Sequence, residues 1–130
     1  MVPETRYAKI RDRQVAYQVI GDGPIDMIVV PPAYLPIDLM WEEPAVARFI
    51  DRLSSFTRSI WFDSWGMGSS APLPHDEARV LEAVVDDMVG LLDSVACERA
   101  AVFDVSGSWV SPLFAATHPE RTLALVLHSP

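Results

Sequence analysis

The 130-residue chain holds a single cysteine, Cys97, so no internal disulfide can form. It also has no basic cluster. Ten Lys and Arg against eighteen Asp and Glu leave a formal charge of −8, which repels phosphate backbones and argues against a nucleic-acid partner. No apolar run reaches the ~20 residues that span a bilayer, so no membrane segment or membrane partner is predicted. The first twenty residues carry Glu4, Arg6, Lys9, Arg11, Asp12 and Arg13 where a signal peptide needs an apolar stretch. With one cysteine and no leader of that kind, a cytoplasmic address is expected. Internal repeats, low-complexity tracts and interdomain linkers are absent, and no cofactor-binding or metal-ligand pattern is read.

Half of the residues are apolar, which suits a buried core and excludes a disordered tail. At this length the chain is read as one domain over residues 1–130, since two cores would each be marginal. Tyr7 to Ile10 and Gln14 to Ile20 are β-prone runs that predict a hairpin, closed by the turn chemistry of Gly21-Asp22-Gly23-Pro24. Ile25 to Val30 is continuously apolar, as in a strand covered on both faces, and Pro31-Pro32 ends it. Pro44 suits a first helical turn, and Val46, Phe49, Ile50 and Leu53 recur at helical spacing up to Ser54.

Arg58 to Phe62 reads as the next strand. From Ala78 to Ala96 a wide apolar stripe predicts a helix, with Glu82, Asp86, Asp87 and Asp93 mostly opposite it. Ala100 to Phe103, Trp109 to Thr117 and Leu123 to Leu127 complete the pattern as strand, helix and strand. Such alternation predicts an α/β fold: a three-layer α/β/α sandwich on a mostly parallel sheet, with an N-terminal hairpin.

Strand, loop and helix carry recognisable wording. Asp63-Ser64-Trp65-Gly66-Met67-Gly68-Ser69-Ser70 follows a strand as D-x-x-G-x-G-x-S, and Phe114 to Thr122 followed by Leu125-Val126-Leu127 makes a helix-to-strand passage. From about residue 5 to 129 the order resembles the N-terminal half of the α/β-hydrolase fold. Trp41-Glu42 and Phe62-Asp63 further resemble hydrolase-like domains that precede nucleotide-cyclase or transcriptional-regulator modules in actinobacterial proteins. The resemblance implies ester- or amide-type hydrolase ancestry and a truncated fold, with the catalytic acid and histidine lying later in chain order. It also implies a structural role for Asp63, Gly66 and Gly68 in shaping their loop.

The family's nucleophile elbow is G-x-S-x-G, whose glycines allow the sharp turn that lifts a serine above the sheet. Here the segment is Asp104-Val105-Ser106-Gly107-Ser108, with both glycine positions replaced when Ser106 is taken as the nucleophile. Counting from the strand selects Ser106, whereas counting back from Pro119 selects Val105, which cannot attack a carbonyl. A competent site would use Ser106 with backbone N–H donors near Ala33, Tyr34 and Gly107. In place of the His-Gly many relatives carry, this chain has Pro31-Pro32-Ala33, and proline has no N–H to donate. The alternative for Ser106 is a helix cap.

His128 ends the last strand and is the histidine best placed to share a rim with Ser106. Trp65 and Trp109, which follow strand ends, are candidates to line an apolar cleft for a small apolar or acyl ligand, while Trp61 reads as core and Cys97 as an inert packing residue. Two functional readings stand: a hydrolase-like protein weak or inactive alone, and a non-catalytic ligand-binding or regulatory module. The apolar strand 123–127, with nothing later to cover its edge, predicts self-association or a partner chain there.

Overall fold

The computed structural model describes residues 3–32, 36–63, 80–105 and 109–128. Six strands form one sheet in the spatial order β1-β2-β4-β3-β5-β6. β1 (Arg6–Ile10) and β2 (Arg13–Ile20) make the antiparallel hairpin, turning through Arg11 at φ 57°. β2 continues antiparallel onto β4 (Thr57–Phe62), and β3 (Ile25–Val30), β4, β5 (Ala100–Asp104) and β6 (Thr122–Leu127) pair in parallel. The mostly parallel α/β architecture with an N-terminal hairpin is therefore the one the alternation predicts.

Strand periodicity divides the core into two. Ile28, Val30, Ile60, Phe62 and Val102 face α2 (Val80–Ser94) and α3 (Val110–Thr117) on one side. Met27, Val29, Trp61 and Ala101 face the opposite way, onto α1 (Pro44–Ser54) and a short 3-10 turn at Met40–Glu42. Because successive side chains alternate across a strand, neighbours in sequence serve different helices. Pro44 occupies the first turn of α1, and Glu43 caps it by accepting from Ala45 N at 3.3 Å.

The crossovers fix where a site can form. From β3 the chain passes over α1 to β4 on one side, then returns over α2 to β5 on the other side of β3. The strand order thus reverses at β3, and in open α/β sheets the crevice at such a reversal is where ligands sit.

Three local features hold this frame. At Gly21, φ is +87° and a Cβ would lie 2.4 Å from Thr57 O, so only glycine suits the turn. α2 ends in a Schellman arrangement, with Cys97 N donating to Leu92 O and Ala96 N to Asp93 O. Ala96 takes the left-handed position (φ 54°) usually given to glycine, at a cost of roughly 1 kcal/mol. Gln18, fully buried, accepts from Trp41 Nε1 at 3.1 Å and donates to Thr5 Oγ1 at 3.0 Å, fastening the segment before α1 onto the hairpin.

Asp87 departs from the helical reading. It is fully buried on α2 and bonds Arg13 of β2 through both carboxylate oxygens. Its position three residues after Val84 and four before Leu91 places it inside the wide stripe, and the partner that permits burial is distant in sequence. β6 lies at the sheet edge with Leu123, Leu125, Val126 and Leu127 all exposed. Among the described residues no helix is long and apolar enough to cross a membrane.

Candidate functional site

Parallel register builds an apolar row across the α1 side of the sheet. Trp61 of β4 pairs with Val29 of β3, Val29 with Phe103 of β5, and Phe103 with Val126 of β6. α1 lays Phe49 over this row. The Phe49 ring stands nearly perpendicular to both Trp61 and Phe103, at 87° and 88°, with centroids 6.3 and 5.9 Å away. Edge-to-face contact of this kind is a favoured aromatic geometry.

One step toward the C-terminal strand ends, the same face carries Val105 and His128, two residues beyond Phe103 and Val126. The ladder continues past the strands to hold them: Val105 N donates to Val30 O at 3.1 Å, and His128 N to Asp104 O at 2.9 Å. Together with Pro32, Ala45 and Val46 these residues enclose a cleft of about 400 Å³. The eight described residues that line it are hydrophobic but for His128. The cleft opens where the strand order reverses, at the ends of β3, β5 and β6.

The structure brings His128 into this cleft and places Val105, the residue before Ser106, in its wall. Ser106, Gly107, Ala33, Tyr34, Trp65, Gly66 and Gly68 lie outside the described residues. Trp109 does not line the cleft; it precedes the first turn of α3 and is 76% exposed, because the helix start leaves its side chain at the surface. Trp61 is buried and donates from Nε1 to Ser59 Oγ, yet it also forms cleft wall. Val46 and Phe49 were legible as apolar positions of a helix and Phe103 as the end of a buried strand, without any sign that they border a cavity, and Ala45 was not singled out.

Asp63 is 2% exposed and accepts from Ile37 N at 2.8 Å, while its own N donates to Ala16 O. It joins the end of β4 to the segment that leads into α1. Cys97 is buried, its Sγ donates to Arg99 O, and burial followed by the nearby Asp26 carboxylate pushes the thiol up to about 11. A group so rarely ionised at neutral pH is a poor nucleophile. His118 is not among the described residues of the cleft; it packs on Phe114, with Nδ1 3.5 Å from Glu120.

No protein-family model and no curated protein sequence matches the chain. Solved structures do. An enol-lactonase from Burkholderia xenovorans superposes with a TM-score of 0.78 at 22% identity, over 92% of this chain and 45% of its own. A hydrolase from Pseudomonas aeruginosa gives 0.77 at 23% identity, over 95% and 45%, and an epoxide hydrolase from Vigna radiata 0.76 at 21%, over 97% and 40%. The chain spans less than half the length of the structures it matches. At these identities the likeness concerns the fold, which is that of the α/β hydrolases.

Proposed function

We propose that this α/β-hydrolase-fold chain, of ester- or amide-hydrolase ancestry, holds a small apolar or acyl ligand in the cleft between α1 and the ends of β3, β5 and β6. Hydrolysis by this segment alone is weak or absent. The observation that carries the reading is the cleft itself: walls that are mostly apolar among the described residues, the His128 imidazole at one end, and a place at the strand-order reversal. The replaced elbow glycines and Pro31-Pro32 support the weakness of catalysis, since a sharp turn costs more without those glycines and neither proline has an N–H to donate.

Saturable quenching of tryptophan fluorescence by short acyl esters is the expected result, with Trp61 as the reporter in the wall. Turnover of a chromogenic short-chain ester should stay near the solution rate and be unchanged in Ser106→Ala. Turnover that vanishes in Ser106→Ala would make the segment a working enzyme and overturn the proposal; flat titrations would remove the ligand.

The exposed apolar edge of β6 supports a second part of the reading, self-association or capture of a partner chain at residues 123–127. Light scattering is expected to show mass rising with concentration. A monomer at every concentration tested would refute self-association.

A further inference from the structure

We infer that the cleft selects a neutral ligand with a flat aromatic body, seated against Phe49, Trp61 and Phe103 with its polar end toward His128; this rests on the ligand-binding reading above. Three rings meet in the wall, and their mutual geometry is fixed by the fold. Trp61 and Phe103 flank Val29 at one level of the sheet, so the register sets their spacing. Phe49 bridges them from α1 at close to a right angle to each.

Phe49 is nonetheless 41% exposed, although Ile50 and Leu53 of the same helix are buried. An exposed ring facing two others leaves an unfilled place in an edge-to-face cluster. A planar guest can occupy it and gain contacts that a saturated ring of equal area cannot, because only the former has a π face and a polarised edge. A volume of about 400 Å³ is ample for two fused rings and one small substituent.

The lining also decides charge. No lysine, arginine or carboxylate is among its eight described residues, and the chain as a whole carries −8. An anionic guest would lose its hydration without gaining a lysine or arginine partner from the lining, in the field of a like-charged protein. At the opposite end of the row, among the described residues, His128 is the side chain able to hydrogen-bond, beside aliphatic Val105 and Pro32, which has no N–H. A carbonyl or hydroxyl on the ring is therefore the polar group that fits.

Equilibrium dialysis of the full chain against three probes tests this: 2-acetylnaphthalene, its fully saturated decahydro analogue and 2-naphthoate. The naphthyl ketone should bind about tenfold more tightly than either of the others. Phe49→Leu should remove most of that preference while weakening the saturated ketone less than twofold. Phe103→Leu should do the same, so a folding defect in either variant, visible by thermal melting, leaves the other to decide. Phe56→Leu, which alters an exposed aromatic outside the cleft, should bind like the parent. Equal affinity for the two ketones overturns the aromatic selection, and naphthoate binding as tightly as the ketone overturns the neutrality, with the cleft reading intact in both cases. Failure of all three probes to bind overturns the cleft reading and this inference with it.

Discussion

Replacing Arg13 with methionine is expected to cost about 3–5 kcal/mol of unfolding free energy near pH 8 and far less near pH 4. Arg13 donates to the two carboxylate oxygens of Asp87 at 3.1 and 2.5 Å, and the Asp87 side chain has no solvent exposure. Removing the guanidinium leaves a buried charge with the Asp86 carboxylate nearby and the exposed, more weakly acting Arg11 to offset it. In the parent, burial already outweighs Arg13 and raises the Asp87 carboxyl from 3.8 to about 6.

The sign of the pH effect follows. A carboxyl with a raised folded pKa binds its proton more tightly in the native state, so its contribution is fully present below about 4 and is lost as pH rises to about 6. About two pKa units correspond to roughly 3 kcal/mol. Asp26 acts in the opposite sense. Its hydrogen bonds from Arg58 lower its pKa, so its contribution is present above the ordinary value and fades as pH falls below it. Urea unfolding across this range should show the Arg13→Met deficit widening with pH, and Asp87→Asn should flatten the parent's slope between 4 and 6. A deficit independent of pH would mean that packing of the arginine stem, and not the buried pair, carries the effect.

Asp63→Ala is expected to cost about 2–3 kcal/mol, and Asp63→Asn less than half of that. Ile37 is fully buried, and its N–H has the Asp63 carboxylate as acceptor at 2.8 Å; alanine strands that donor, whereas asparagine can still accept. Because Ile37 opens the segment leading to Met40 and α1, the alanine variant should also loosen the placement of Phe49 and weaken ligand binding. Chemical denaturation of the two variants separates the causes. Equal losses would assign the stability to the carboxylate charge instead of to the bond with Ile37.

Much of this architecture was legible because period and punctuation agree. The strand Ile25–Val30 and the helix Pro44–Ser54 coincide with the apolar runs and the proline positions that predict them. Other boundaries moved by a residue or two, as at Thr57 and Thr122, where the pairing partner and not the local sequence decides the first rung. What local pattern could not express was juxtaposition. Arg13 and Asp87 are read as surface charges until α2 is laid on the hairpin, and Phe49, Trp61 and Phe103 are read as core until the register aligns them. Ser106 and Val105 remain an open choice for the nucleophile position, because a serine's role depends on groups that the linear pattern does not place around it. His128 reaches the cleft because β6 pairs beside β5, an order that the family resemblance implied and the apolar pattern alone did not.

The division of the core between the two sheet faces also orders assembly. Of the buried residues on the α1 face, all but Ala101 lie at or before Trp61. A chain synthesised from its N-terminus therefore has nearly everything needed to close that face once β4 has emerged. The opposite face has Val15, Ile28, Ile60 and Phe62 in place by then, but their cover, from Val84 to Phe114, has yet to be made. During that interval a half-built sheet is dressed on one side and bare on the other, and the bare side is the stage at which the nascent chain is most exposed to wrong partners.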